Sequence, residues 1–114
     1  MTTAEVNAAI AKAKGWTEGF GLPGHPPWMD MDAMNPERED YHRNPTDDPR
    51  EWSKLMLEML EAGIDCLFCD DGSFEASRGY PGGPDAFCAT ALWKPSIGEA
   101  VCRTWLRWKG VSDA

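Results

Sequence analysis

Cys66 and Cys69 are spaced like half of a zinc site or a redox pair. Structural zinc takes four ligands, usually two such pairs or one pair with two spaced histidines. The other cysteines, Cys88 and Cys102, stand fourteen residues apart and complete neither pattern. Residues three apart on a strand point to opposite faces, which makes a poor chelate. A redox pair needs a helix N-terminus to lower a thiol pKa, and this pair reads as lying on a hairpin limb. Both thiols are therefore expected to be small apolar groups; neither a metal site nor a cofactor is expected.

Other candidates fail on the same kind of test. Asp30-Met31-Asp32 begins like a calcium loop, but the following positions bring Met34, Asn35 and Tyr41 where ligands, glycine and glutamate are required. Met29, Met31 and Met34 carry soft sulfurs, yet suit an adaptable contact surface better. His42, the second histidine after His25, has Glu39, Asp40 and Arg43 around it, which permits a general base. No serine or cysteine nucleophile motif accompanies it, so no catalytic residue and no enzyme activity are expected. Gly19, Gly21 and Gly24 open no phosphate loop. Arg103 and Arg107, spaced i, i+4, form either a solvated face or a grip for phosphate or carboxylate.

Three helices are needed to position these groups. Thr2 through Glu5 make a capping box, Val6, Ala9, Ile10 and Ala13 share a face, and Gly15 stops a helix spanning 1–15. Asp48-Pro49-Arg50-Glu51 opens a second, over 48–62, with Trp52, Leu55, Met56, Met59 and Leu60 as its stripe. Ser96 opens a third, over 96–109, lined by Ile97, Val101, Thr104, Trp105 and Trp108. Between the last two lies a three-stranded meander over 64–93. Its first hairpin turns on Asp70-Asp71-Gly72, which sets Cys66 and Phe68 opposite Ala76 and Phe74. Residues 16–47 read as a long irregular loop, with a short helical turn allowed at Asn35-Pro36-Glu37-Arg38. The expectation is one α+β domain over 1–114, an antiparallel meander packed with three helices in the order α-α-β-β-β-α.

Charge narrows the function. The net charge is −8, and from Asp30 to Glu51 eight acids face three bases, so −5 lies there. The last helix has the opposite bias, Lys94, Arg103, Arg107 and Lys109 against Glu99. Sequence-independent nucleic-acid binding and anionic membranes both need a basic surface, so neither is an expected partner. No apolar run reaches the length of a membrane span and the N-terminus lacks a signal-like core. With four cysteines this points to reduced thiols in a cytoplasm.

The opening EVNAAIAKAKGWTE and the closing ATALWKPSIGEAVCRTWLRWKG resemble the phage ABA sandwich domain family. Gly15-Trp16 is the most specific point, and Trp105 and Trp108 depart from the smaller residues usual on the family's last helix. The resemblance implies a phage or prophage accessory protein with an α/β sandwich fold in a bacterial cytoplasm, and brings no catalytic residue. The reading that follows is a non-enzymatic protein binding a host protein, such as an antiviral defence component, by covering a basic nucleic-acid-binding surface. Trp28 and Tyr41 would be its anchors, and Asp30, Asp32, Glu37, Glu39 and Asp40 its charges. The alternative is a nucleotide-binding or sequestering protein, with the aromatic loop stacking a base and Arg103 or Arg107 holding phosphate. A third is an assembly subunit that oligomerises through its Trp-rich last helix.

Overall fold

Helix boundaries follow from local hydrogen bonds in a computed structural model that describes residues 1–19, 27–31, 42–94 and 96–114, with backbone alone at position 42. Helix α1 (Thr3–Lys14) begins at Thr2, whose hydroxyl accepts from Glu5 N while Glu5 Oε1 accepts from Thr2 N, each at 3.2 Å. Helix α2 (Pro49–Glu61) begins where Asp48 accepts from Arg50 N at 3.0 Å. Helix α3 (Ile97–Trp108) begins at Ser96, whose hydroxyl accepts from Glu99 N at 3.1 Å. Gly15, Gly63 and Gly110 follow the three helices in left-handed backbone (φ 74°, 83° and 96°), the stops expected of them.

The capping box expected at α2 does not form. The Asp48 N–H donates to Asn44 O at 2.9 Å, so it has no need of Glu51. Glu51 turns instead to Arg43 at 3.2 Å and Lys54 at 3.3 Å.

The irregular loop expected over 16–47 is corrected in its described part, residues 16–19, 27–31 and 42–47. Three two-residue strands, β1 (Thr17–Glu18), β2 (Trp28–Met29) and β3 (His42–Arg43), pair antiparallel in the order β1-β2-β3. Among the described residues the element order is α-β-β-β-α-β-β-β-α. Strands this short contain no alternation to read, because a period of two needs about four residues to show. The turn proposed at Asn35–Arg38 lies outside the described residues.

The meander is present as β4 (Asp65–Phe68), β5 (Ser73–Arg78) and β6 (Phe87–Leu92), antiparallel in that order. Cys66 opposes Ala76 and Phe68 opposes Phe74, the register of the three-residue turn. Gly72 takes φ 91° there, and Asp71 Oδ1 accepts from Ser73 N at 2.9 Å. One face of this sheet, with Phe74, Ala76 and Ala89, is buried, while Glu75, Thr90 and Leu92 on the other stay exposed. Helices thus cover one face of it among the described residues.

Helix α3 lies at the centre of the core. Ala100, Val101, Cys102, Trp105 and Leu106 are buried against Val6 and Ile10 of α1, Leu55 and Met59 of α2, and Phe74 and Ala76 of β5. Ile97 and Leu60, expected to be inside, are exposed at 40% and 47%. On α3, Ala100, Cys102 and Leu106 are buried although they lie off the expected stripe, so its buried arc is rotated and wider. Gly98 explains the rotation. A Cβ there would overlap the Thr46 carbonyl oxygen and lie 2.6 Å from Trp52 Cδ1, so only glycine lets α3 approach so closely.

Arg43 holds the small sheet to α2. Its pair with Glu51 leaves the two side chains 10% and 9% exposed, and Asp30 of the β2 flank approaches Arg43 at 3.9 Å. Removing one partner of a buried pair strands a charge. Glu51→Ala should therefore lower unfolding stability by about 3 kcal/mol in urea titrations, and Arg43→Met with Glu51→Leu should restore most of it. A single-variant loss under about 0.5 kcal/mol would instead mark an ordinary surface pair.

Candidate functional site

Two of the sequence-derived candidates are brought together, and with company. Arg103 and Arg107 both line a cleft of about 370 Å³ between β6 and α3, whose walls include Thr90, Leu92, Lys94, Ser96 and Glu99. Three cationic side chains and one carboxylate side chain, Glu99, line it among the described residues, and Ala114 lines it too. The convergence has a local cause. The apolar arc of α3 is buried, so its i, i+4 arginines emerge on the arc beside the β6 edge, and Lys94 follows β6 directly.

Each guanidinium also ties the fold. Arg103 donates through Nη2 to Met1 O at 2.6 Å and to Glu99 Oε1 at 2.8 Å. Arg107 donates through Nε to Ala114 O at 2.9 Å and through Nη1 to Thr90 O at 2.8 Å. The ligand-free alternative of a merely solvated pair is thereby corrected. A guanidinium has five N–H donors, so two bonds do not exhaust Arg107. Lys94 makes no ion pair among the described residues, and its ammonium sits 5.0 Å from the centroid of Trp93.

Glu99 is the counterweight. Burial alone would raise its carboxyl, but hydrogen bonds from Arg103 and Thr3, together with the Arg103 charge, hold it below the ordinary range. Thr3 Oγ1 donates to Glu99 Oε1 at 2.9 Å, which links the cleft to α1.

Beyond that link lies a second cleft, of about 310 Å³, lined by Thr3, Ala4, Asn7, Pro27, Trp28, Asn44, Thr46 and Asp47. Trp28 is half-buried on β2, and the exposed Asp47 accepts from Asn44 Nδ2 at 3.1 Å. Asn7 braces the floor by donating to Thr46 Oγ1 at 3.1 Å and accepting from Thr46 N at 3.2 Å.

The remaining predicted contact residues divide. Asp30 is directed toward Arg43 and a small cavity of about 130 Å³ with Lys14, Trp16 and Lys54, so its charge is partly spent inside the protein. Asp32, Glu37, Glu39, Asp40, Tyr41, Met34, His25 and the His42 side chain lie outside the described residues. Trp105 is buried and Trp108 packs partly against the core, which removes Trp105 from any exposed oligomer face. Cys66 faces the sheet's inner side, where burial and then the Asp65 charge push its thiol up. Cys69 lies beyond β4 and lends its carbonyl to Trp93 Nε1 at 3.0 Å.

Sequence reasoning gave Lys94 only as part of a basic bias and did not single out Gly98 or Arg43. A glycine in the first turn of an otherwise helical pattern was the available signal, since it costs helix stability unless something approaches closely. Comparison with protein-family models, with curated proteins and with solved structures finds no match.

A depressed carboxyl contributes stability above its unfolded pKa, about 4.3, and loses it as pH falls through the folded value. Between about pH 5.5 and about pH 3, the protein should therefore lose about 0.5 kcal/mol more stability than Glu99→Gln does. Parallel urea titrations across that window would show it; identical slopes would mean the Glu99 pair contributes nothing.

Proposed function

We propose that this chain is a non-enzymatic binding protein that takes a phosphate-bearing small molecule in the cleft between β6 and α3. The observation that carries this reading is the convergence of Lys94, Arg103 and Arg107 on one concavity of a chain whose net charge is −8. Long-range repulsion works against anion binding here, so a local cluster of cations in a concave, partly desolvated place is what selects an anion. Arginine suits phosphate through its planar fork, and lysine as a mobile point charge.

Lys94 separates binding from architecture, because it bonds no backbone group among the described residues, unlike the two arginines. Calorimetric titration with inorganic triphosphate at low ionic strength should give saturable binding that weakens as salt is raised. Lys94→Gln should weaken it about fivefold with the urea midpoint unchanged, and Glu99→Gln should tighten it by a similar factor, each corresponding to about 1 kcal/mol. Absence of saturable heat, or full affinity in Lys94→Gln, would remove the reading.

A second reading has its own observation: Trp28 stands half-exposed beside the exposed carboxylate of Asp47, an aromatic anchor with acidic company. Under it the chain is a phage-type accessory protein, as the resemblance of its two ends suggests. The segment around Trp28 to Asp48 would then cover a basic surface of a host protein, such as one that otherwise holds nucleic acid. Tagged protein should retain one stoichiometric partner from bacterial lysate at low salt and release it at high salt, and Trp28→Ala with Asp47→Lys should retain none. Equal capture by wild type and variant would rule this surface out.

A further inference from the structure

The two clefts are neighbours, and their shared boundary carries a consequence for the ligand. Thr3 lines the cleft beside Trp28 and Glu99 lines the cationic one, and these two residues hydrogen-bond at 2.9 Å. A second contact repeats the adjacency. Gly98, between Ser96 and Glu99 of the cationic cleft, packs on the Thr46 carbonyl and on Trp52, and Thr46 lines the cleft beside Trp28. Two independent contacts therefore join one wall of each cleft.

We infer that the ligand class is a nucleotide, its phosphates held by Lys94, Arg103 and Arg107 and its base seated against Trp28 across the Thr3–Glu99 boundary. This rests on the anion-cleft reading of the previous section. An indole offers a π-face to any base, and such stacking is sequence-tolerant. The polar groups beside Trp28 fit an edge rather than a second charge. The Asp47 carboxylate only accepts, so it favours a base that presents N–H donors, while the Asn44 amide offers both donor and acceptor. A second phosphate is disfavoured at that end by Asp47, since like charges repel there. The cationic end is less suited to a neutral ring, because no aromatic side chain is among the described residues that line it. Charge and aromatic surface are thus segregated in the way that a nucleotide is.

The test compares three probes by calorimetry on the full chain: inorganic triphosphate, a purine nucleoside triphosphate, and the phosphate-free nucleoside. The nucleoside triphosphate should bind about tenfold tighter than triphosphate alone, and the nucleoside alone should bind weakest. Trp28→Leu should abolish that margin while leaving triphosphate affinity unchanged, whereas Lys94→Gln should weaken both phosphate probes by the same factor. Ala4→Phe, at an exposed position on the same cleft, supplies a blocking variant that leaves the core untouched should Trp28→Leu fail to fold. Equal affinity for triphosphate and nucleoside triphosphate, or a margin that survives both cleft variants, overturns the base seat and leaves the anion cleft standing. If neither phosphate probe binds, the anion cleft falls and the base seat with it.

Discussion

Burial of α3 is the constraint on which the other features depend. Seven of its twelve residues are buried, a wider arc than a surface helix shows, so α1, α2 and β5 all pack against it. That leaves one narrow polar arc. Glu99, Arg103 and Arg107 occupy it at successive i, i+4 positions, and each reaches a different part of the fold: Thr3 of α1, the backbone at Met1, and the β6 edge with Ala114. Tying and ligand-holding are therefore available to the same side chains.

The bond from Arg107 to Thr90 O has a further effect. An exposed edge strand invites pairing with another chain. A guanidinium on a β6 edge carbonyl, beside a helix, obstructs that edge while leaving a concave space next to it. The cleft is thus a product of how the sheet edge is protected rather than a gap in the packing.

Charges in this protein are used in two distinct ways. The Arg43–Glu51 pair, with both side chains about nine-tenths buried, fixes where the small sheet sits on α2 and draws Asp30 inward. Its value is positional, since desolvation offsets much of the attraction. The Glu99–Arg103 pair is more exposed and its attraction more screened. Carboxylates that look alike in a run of acids therefore divide by burial into structural and surface groups, which is why the acidic segment is a weaker guide to a contact surface than its composition suggests.

The sequence by itself determined the three helices, their starts and glycine stops, and the hairpin register. All of these are set by hydrogen bonds and backbone preferences within a few residues of one another. It also placed Arg103 and Arg107 on one face, because i, i+4 spacing is a property of the helix alone. The small sheet was illegible, since its two-residue strands gain their pairing only from segments far apart in the chain. Glu51 read as a cap because the pattern was right, and tertiary structure overruled it: Asn44 had already satisfied the Asp48 N–H, and a buried Arg43 made the stronger demand on the carboxylate. Which face of α3 turned inward was likewise decided by a close approach, Gly98 on the Thr46 carbonyl. Only that packing could bring Lys94 beside the arginines and set the Trp28 cleft next to them, because proximity between distant segments follows from excluded volume and burial, not from local preference.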